Sequence, residues 1–259
     1  MGVESIKVGE SKLPEKGRGG KKVKALVLFD VDGTLTQDFY EHAQAFSDAF
    51  RQVYRVEADI DCINHHGMTD QEIIPGVLKK NGVPLEEINA KMSQCMKVMV
   101  RSFKKMVSRS HARVLPGVRN LLKKLKQKNV MMGLVTGNLE PIARGKLGKL
   151  RLNQYFEIGG FGSDDASRAN LVRMARKRAA NLSGYEITDS QIYLVGDTPQ
   201  DISAAKEAAV KVLSVATGNY TREELQKFNP DYVFADLVGT DKILKVILRT
   251  TFRPDKFSP

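Results

Sequence analysis

The feature that most constrains the fold is a short apolar run that ends in two acidic residues. Residues 25–29 (ALVLF) are all apolar, and they are followed by Asp30, Val31, Asp32 and Gly33. An unbroken apolar run of this length is typical of a strand that is buried on both faces of a parallel sheet. Because ligands of open α/β sheets bind at the carboxyl ends of the strands, we expect Asp30 and Asp32 to lie at a ligand-binding edge.

The spacing of the two aspartates allows two interpretations. Residues two positions apart in an extended chain point to the same side, so Asp30 and Asp32 would repel each other unless a cation lay between them. This favours a metal-assisted nucleophile paired with a general acid. Aspartate is also common in turns as a capping residue, and a purely structural role for the pair stays open at this point.

Composition indicates a globular protein that is large enough for a substantial core. The chain has 259 residues, of which 42% are hydrophobic and 27% are charged, and both values are ordinary for this class.

No apolar stretch approaches the roughly 18 residues of a membrane span, and the N-terminus lacks the apolar region of a signal peptide. The two cysteines, Cys62 and Cys95, suggest neither a disulfide framework nor a zinc site. We expect a cytoplasmic protein without membrane contact, and the sequence does not indicate its oligomeric state.

The net charge of +11 raises the question of a nucleic-acid partner. Residues 1–24 hold seven Lys or Arg against three Glu, and residues 97–113 hold six Lys or Arg and no acid. The second segment also carries apolar residues at helical spacing, so its basic residues are typical of the solvent side of an amphipathic helix. The segment lacks any nucleic-acid-binding motif, and we therefore expect an anionic small molecule rather than nucleic acid as the partner.

The order of the predicted elements indicates an α/β domain that is interrupted by a helical insertion. Residues 1–22 are typical of a disordered basic arm, and residues 251–259 are left as a C-terminal tail. Residues 38–113 carry helical patterns only, and we expect them to form an all-helical cap over the ligand-binding edge. Residues 23–37 and 114–250 alternate strands with helices, which predicts a Rossmann-like, three-layer core with a parallel sheet covered on both faces.

Strand and helix positions follow from the same patterns. After the first strand, five more strands are predicted at residues 130–135, 155–158, 191–195, 210–215 and 232–234. Helices are predicted in the insertion at residues 39–53, 71–80 and 85–107. Thr198 as N-cap and Pro199 at the first helical position are typical of a helix start after the fourth strand.

Polar side chains also follow two other predicted strands. Thr136, Gly137 and Asn138 follow the strand at residues 130–135, where backbone amides at a helix start would suit a phosphate group. Asp197 and Asp201 follow the strand at residues 191–195. Each group also has a structural interpretation, because Thr is a common N-cap and acids are favoured at helix N-termini. Since the carboxyl ends of parallel strands share one edge, we expect these groups to converge with Asp30 and Asp32.

The motifs DVDGTLT (residues 30–36), VTGN (135–138) and GDTPQD (196–201) resemble those of the haloacid dehalogenase-like hydrolases. Their order and the helical insertion after the first motif fit the helical-capped branch, which includes phosphoglycolate phosphatases and β-phosphoglucomutases. The resemblance covers about residues 24–248. Its motifs are highly specific for the superfamily but weakly specific for the substrate.

The resemblance implies a role for each matched residue. Asp30 would attack phosphorus and become an aspartyl phosphate, and Asp32 would act as general acid and then general base. Thr136 would hold a phosphoryl oxygen. Asp197, with Asp30 and the backbone carbonyl of Asp32, would bind Mg²⁺, and Asp201 would be a further ligand or a supporting residue. The phosphate cradle of Gly137 and Asn138 belongs to the same site.

The chain departs from the family pattern at the third motif, which is usually a lysine before the helix that precedes the fourth strand. Residues 161–171 contain no lysine, and Arg168 lies at about the matching place. Arginine can also neutralise a transferring phosphoryl group, so we predict this role for Arg168. A solvated charge on a basic helix is the alternative. Lys146 competes for the role, but it lies in the helix after the second motif, which is too early.

The cap segment HHGMTD (residues 65–70) lies between predicted cap helices, near the place where family members select their substrates. We hypothesise that His66, Thr69 or Asp70 contacts the leaving group. The alternative is a polar loop in which Thr69 or Asp70 caps the helix at residues 71–80.

The second aspartate favours a particular chemistry within the family. An alkoxide leaving group needs a proton whereas a halide does not, so Asp32 favours phosphate monoesters over halides. The resemblance therefore implies a Mg²⁺-dependent phosphatase that acts on a small phosphorylated metabolite through Asp30. A sugar-phosphate mutase of the β-phosphoglucomutase type and a basic binding protein with a vestigial site are the two alternatives.

Overall fold

The computed structural model describes residues 23–37 and 39–249. The predictions of a disordered basic arm at residues 1–22 and of a tail at residues 251–259 lie outside the described residues. In the part of the chain that is described, no helix combines the length and the apolar character that crossing a membrane requires.

The strands form one large parallel sheet and one small antiparallel pair. In chain order they are β1 (Leu26–Phe29), β2 (Thr36–Gln37), β3 (Arg113–Val114), β4 (Met131–Thr136), β5 (Ile158–Phe161), β6 (Ile192–Gly196), β7 (Lys211–Val215) and β8 (Tyr232–Phe234). Within the described residues, the parallel sheet has the order β5-β4-β1-β6-β7-β8. Strand β1 is central, and its Leu26 is in register with Met131 on one side and Ile192 on the other. The predicted parallel α/β core is confirmed.

Three helices form the insertion between β2 and β3. They are α1 (Tyr40–Ala49), which continues as the π-helical turn Phe50–Tyr54, α2 (Asp70–Lys80) and α3 (Leu85–Met106). Their apolar faces share a core of their own, in which Phe46, Ile74, Met99 and Phe103 are fully buried. The apolar residues of α3 thus face this core, as its helical spacing predicts. The inserted helical cap is confirmed as part of the fold, and the residue boundaries of the domains stay a prediction.

Six further helices cover the sheet. They are α4 (Val118–Gln127), α5 (Glu140–Lys149), α6 (Arg168–Ser183), α7 (Pro199–Glu207), α8 (Arg222–Gln226) and α9 (Thr240–Arg249) among the described residues. Val27 and Phe29 of β1 pack with residues of α4, α5 and α9. Leu26 and Leu28 point to the other face and pack with residues of α6 and α7. Because both faces of β1 are buried, its sequence is apolar throughout, and the result is the predicted three-layer architecture.

The structure contains one strand pair that the sequence pattern does not predict, and one strand lies at other residues than predicted. Strands β2 and β3 pair where the chain leaves and re-enters the core, and two residues each are too short for a visible pattern. The strand predicted at residues 155–158 is wrong, because the strand is Ile158–Phe161. Its two central glycines weaken the strand pattern. Gly160 is needed there because a Cβ atom would lie 2.1 Å from the carbonyl oxygen of Leu171 on α6.

Candidate active site

The three neighbouring strands at the centre of the sheet end at one cavity. Asp30 directly follows β1, Thr136 is the last residue of β4, and Asp197 directly follows β6; all three residues line a cavity of about 530 Å³. The amide of Asp30 donates to the Val195 carbonyl (2.9 Å), so the pairing of β1 with β6 fixes the start of the acidic turn. The predicted convergence of the strand ends is therefore present in the structure.

Asp30 is almost fully buried, and its charged neighbours surround it. Nη2 of Arg168 lies 2.7 Å from Asp30 Oδ1. Burial raises the pKa of Asp30 to about 7; the Arg168 guanidinium opposes this rise, and the carboxyls of Asp201 and Asp32 add to it. The charged form of Asp30 therefore depends on cations in its surroundings.

Asp32 faces a cation of its own. The Lys146 ammonium donates to Asp32 Oδ2 (2.6 Å) and lies 3.0 Å from His42 Nδ1. Burial alone would raise the pKa of Asp32, but the Lys146 ammonium holds it below its ordinary value. The surroundings thus raise the pKa of Asp30 and lower the pKa of Asp32, although the two residues are only two positions apart.

Two further carboxyl groups, those of Asp197 and Asp201, cluster with Asp30. Oxygen atoms of Asp30, Asp197 and Asp201 all lie within 4.8 Å of one another. Among the described residues, Arg168 is the cation that contacts this cluster, and it contacts two of the three carboxylates, Asp30 and Asp201. Burial and the neighbouring Asp30 raise the pKa of Asp197 well above its ordinary value. A divalent cation would balance the remaining negative charge, and the donors are the hard oxygen ligands that Mg²⁺ prefers. The residues fit such an ion.

Asp201 and Asp197 differ in how many of their carboxylate oxygens already accept hydrogen bonds. Asp201 Oδ2 accepts hydrogen bonds from the amide and hydroxyl of Thr198 (3.1 and 2.7 Å), and Oδ1 accepts one from Arg168 Nε (2.9 Å). Asp197 Oδ1 accepts from the Thr34 hydroxyl (2.8 Å). Because both oxygens of Asp201 are already engaged, its geometry favours the supporting role over that of a metal ligand.

The residues after β4 form the wall of the cavity beside the cap. The Thr136 hydroxyl accepts from the Asn138 amide (3.3 Å), and both residues are buried. The Gly137 carbonyl accepts from the amide of Asp70 in the cap (2.8 Å). A Cβ atom on Gly137 would lie 2.4 Å from the carbonyl oxygen of Met68, so only glycine allows the cap loop to come this close.

The predicted Arg168 lies at the site. Arg168 is the first residue of α6 and is buried. Its guanidinium lies 2.7 Å from both Asp30 and Asp201, and Nη1 donates to the Gly67 carbonyl of the cap loop (3.3 Å). Because Arg168 is buried, the alternative of a solvated charge on a basic helix does not apply to it.

The predicted cap residues have different surroundings. His66 lines the cavity and faces Asn219, with its ring nitrogens 3.0 Å from the Asn219 amide nitrogen. Asp70 also lines the cavity. Thr69 precedes α2 as its N-cap residue, and its hydroxyl lies within hydrogen-bond distance of two acceptors, the Glu72 carboxylate (3.0 Å) and the Ala166 carbonyl (3.2 Å). Thr69 is not part of the cavity wall.

Comparison with known proteins decides the family. The family model of the haloacid dehalogenase-like hydrolases matches residues 27–215. The chain belongs to the haloacid dehalogenase-like hydrolases. It is similar to the phosphoglycolate phosphatase of Pseudomonas fluorescens, with 26% identity over 215 residues that cover 82% of this chain and 76% of that protein.

Solved structures agree with this fold. A hydrolase from Pseudomonas syringae superposes with a TM-score of 0.65 at 20% identity, and the match covers 86% of this chain and 99% of that chain. CbbY from Rhodobacter sphaeroides in complex with phosphate gives a TM-score of 0.63 at 17% identity, with 83% and 95% covered. These structures confirm the fold. The family model and the curated relatives confirm the predicted resemblance and the predicted enzyme class, a haloacid dehalogenase-like phosphatase.

Two residues at the site of this hydrolase were missed by the sequence analysis. Lys146 was dismissed as too early in the chain, yet it contacts Asp32. It lies on the buried stripe of α5 with Ile142, Ala143 and Leu147, and a lysine at such a position is a signal that was available. His42 follows Phe39 by three positions and precedes Phe46 by four, which places it on the buried face of α1.

Proposed function

We propose that this hydrolase is a Mg²⁺-dependent phosphatase that hydrolyses a small phosphomonoester through an aspartyl phosphate on Asp30. The observation that carries the proposal is the convergence of Asp30, Asp32 and Thr136 with two cations at one cavity. A nucleophile, a proton donor and groups that balance phosphoryl charge are the parts that this slow reaction needs. The relatives named phosphoglycolate phosphatase support the same reaction class.

In the first half of the reaction, a carboxylate oxygen of Asp30 attacks phosphorus. The bond between phosphorus and the ester oxygen breaks, and Asp32 gives its proton to the leaving oxygen. The Thr136 hydroxyl would donate to a phosphoryl oxygen, and Arg168 would orient Asp30 while balancing charge on the phosphoryl group. The product of this half is an alcohol and an acyl phosphate on Asp30.

In the second half, water attacks the phosphorus of the acyl phosphate. Asp32, now a carboxylate, takes the proton from this water, and the bond to Asp30 breaks to release inorganic phosphate. Because Lys146 lowers the pKa of Asp32, it favours release of the proton to the leaving oxygen in the first half and the carboxylate form with which this second step begins. Asp30 and Asp32 both return to their initial states.

Asp30 and Asp197 are the side chains proposed to hold Mg²⁺, together with the backbone carbonyl of Asp32. Bound there, the ion would neutralise negative charge on the phosphoryl group. Asp201 would hold Arg168 in place, since both of its oxygens are engaged.

The cap side of the cavity is proposed to select the leaving group. Gly137, Asn138 and His66 are retained as substrate contacts because they line the cavity. Thr69 is omitted because its hydroxyl serves the start of α2 and the Ala166 carbonyl. We also propose a cytoplasmic setting without nucleic acid as a partner, and the two free cysteines, Cys62 and Cys95, suit a reducing compartment.

The test is phosphate release from a panel of phosphomonoesters with Mg²⁺ or with EDTA. The proposal expects metal-dependent release by the wild type and no release by Asp30→Asn, which keeps the shape of the side chain but cannot form the acyl phosphate. Acid-quenched wild type should carry phosphate on Asp30, and product analysis should find inorganic phosphate rather than an isomerised sugar phosphate. Turnover that survives in Asp30→Asn would refute the mechanism.

A further inference from the structure

The cap contributes a buried carboxylate to the leaving-group side of the cavity. Asp70 is the first residue of α2, lines the cavity and has a side chain that is only 1% exposed. Its Oδ2 accepts from the amide of Leu139 at the start of α5 (2.8 Å). Its Oδ1 is buried and makes no hydrogen bond with the described part of the chain. Helix N-termini stabilise such a charge, but they do not neutralise it.

The ring of His42 lies between this carboxylate and the Lys146 ammonium. His42 Nε2 lies 3.4 Å from Asp70 Oδ2. On the other side of the ring, Lys146 Nζ lies 3.0 Å from His42 Nδ1. A lysine ammonium can only donate, so Nδ1 must accept and we assign the ring proton to Nε2. His42 therefore presents Nε2–H on the Asp70 side, but the two groups do not form a hydrogen bond, and both His42 Nε2 and Asp70 Oδ1 lack a hydrogen-bond partner among the described residues.

The fixed cations of the cavity wall are already matched by carboxylates. Arg168 lies between Asp30 and Asp201, and Lys146 contacts Asp32. Among the residues that the structure describes, Lys146 and Arg168 are the lysine and arginine side chains that line this cavity. Neither is left to receive a second anionic group of the substrate. The far end of a phosphate ester would thus meet a carboxylate that no described lysine or arginine pairs with and whose Oδ1 has no hydrogen-bond partner among the described residues.

We propose that Asp70 is a specificity-determining residue that excludes a second anionic group and selects phosphate esters of uncharged hydroxylated alcohols. This inference rests on the proposed phosphatase reaction and names its substrate class. A carboxylate on the leaving group would face Asp70 in a water-poor cavity, where like charges repel each other more strongly than in bulk water. A hydroxyl group carries no such penalty and can accept from a donor such as His42 Nε2–H.

A matched pair of substrates tests the proposal. Phosphoglycolate and 2-hydroxyethyl phosphate have carbon chains of equal length, and they differ in carrying a carboxylate or a hydroxymethyl group. We expect wild type to have a kcat/KM at least about tenfold higher for 2-hydroxyethyl phosphate. In Asp70→Asn the amide oxygen can still accept from Leu139, and we expect this preference to shrink by about tenfold, chiefly through a lower KM for phosphoglycolate.

The control variant is Asp61→Asn. Asp61 also lines the cavity, but its side chain is 85% exposed at the rim, where water screens its charge. We expect Asp61→Asn to keep the wild-type preference. Thermal melts would verify that all variants are folded.

Two results would overturn the inference: a wild-type preference for phosphoglycolate, or an unchanged preference in folded Asp70→Asn. Failure of the proposed function looks different, because then neither ester would be hydrolysed in a manner that depends on Asp30.

Discussion

The Lys146 ammonium lies 2.6 Å from a carboxylate oxygen of Asp32, although 114 positions separate the two residues in the chain. The lysine side chain is 1% exposed, whereas the side chain of Asp32 is 41% exposed toward the cavity. Lys146 also lies 5.5 Å from the ring centre of Phe39, a residue of the cap. Packing therefore fixes Lys146, whereas the Asp32 carboxylate is available to a substrate.

This relationship predicts that Lys146 positions Asp32 for proton transfer. In Lys146→Met a side chain of similar length keeps the packing, but Asp32 loses its only ammonium partner among the described residues. We expect kcat to fall by at least about tenfold with a smaller change in KM, because a general acid contributes about 10² or more only when it is correctly placed. Steady-state kinetics on any accepted ester measures this split.

Lys149→Met is the matched control for that variant. Lys149 lies on the same helix, but it is exposed and its ammonium donates to the carbonyl of Ser108. The kcat of Lys149→Met should equal that of wild type. Equal kcat values in both variants would contradict the positioning role of Lys146.

A second prediction concerns the guanidinium that joins Asp30 and Asp201. Arg168→Gln leaves two buried carboxyls without their cation, and the loss of one partner of a buried pair costs about 3 kcal/mol or more. We expect a lower midpoint in urea unfolding and a kcat that is reduced by about 10² or more. Arg168→Lys should recover only part of both, because one ammonium cannot reproduce the planar contacts with Asp30, Asp201 and Gly67.

Arg173→Gln controls for the loss of a charge on the same helix. Arg173 is exposed and pairs with Glu207, and such a surface pair is worth about 0–1 kcal/mol. If Arg168→Gln were as stable and as active as Arg173→Gln, the ion pairs of Arg168 would have no part in the site.

The central strands and their polar ends could be predicted because that information is local. An apolar run followed by Asp30, or by Thr136, predicts a buried strand and a polar strand end without knowledge of the rest of the chain. The partners of these residues could not be predicted in this way. Lys146 reaches Asp32 only after α5 packs beside β1, and the carboxylate of Asp70 receives the Leu139 amide only after the cap contacts the core.

The misplaced strand β5 is a second feature that depends on packing between distant parts of the chain. Its sequence Ile-Gly-Gly-Phe has a weak intrinsic preference for strand. The reason for Gly160 is the close approach of α6, which no local pattern contains. Arg168 could be placed only because the family motif gave its approximate position, and its second contact with Asp201 was not predictable.

A third prediction concerns the stability of the turn after β5 and its dependence on pH. Asp164 accepts two hydrogen bonds from Arg178 (2.6 and 2.9 Å) and one from the amide of Phe161 (3.0 Å). The hydrogen bonds from Arg178 hold the pKa of Asp164 below its ordinary value of 3.8. A carboxyl with a lowered pKa in the folded state stabilises the fold above its ordinary pKa, and this contribution disappears as the pH falls through the lowered value.

Asp164→Asn should therefore be less stable than wild type by about 1 kcal/mol at neutral pH, a modest value because Arg178 is partly exposed. The difference should shrink as the pH falls below about 4. Urea unfolding at several pH values measures it. Asp189→Asn, which removes the exposed partner of Arg176, should have a smaller effect at neutral pH. A difference for Asp164→Asn that grew on acidification would have the wrong sign for this explanation.

A fourth prediction tests the contact between the cap loop and the core at Gly137. A Cβ atom there would lie 2.4 Å from the carbonyl oxygen of Met68 and 2.8 Å from Cα of Thr69. Gly137→Ala should displace the cap loop, lower stability by about 1–3 kcal/mol and lower kcat/KM. Gly239→Ala is the control, because nothing lies within 4 Å of a Cβ atom at that position. Thermal melts and kinetics on both variants would compare them, and similar values would mean that the loop adapts freely.

The last prediction uses ligand binding to test the acidic cluster independently of turnover. An ion that binds the folded state alone stabilises it by RT ln(1 + [L]/Kd), or about 2.7 kcal/mol at 100 times Kd. If Mg²⁺ is held by Asp30 and Asp197, millimolar Mg²⁺ should raise the melting temperature of wild type, and EDTA should abolish the rise. Asp197→Asn removes one charged ligand and should melt at the same temperature with and without Mg²⁺. Asp236→Asn, at an exposed turn where the carboxylate accepts from the Val238 amide, should keep the full rise. A rise that persisted in Asp197→Asn would place the ion elsewhere on the protein, because Asp30 would then lack a second carboxylate ligand: Asp201 has both oxygens engaged by Arg168 and Thr198.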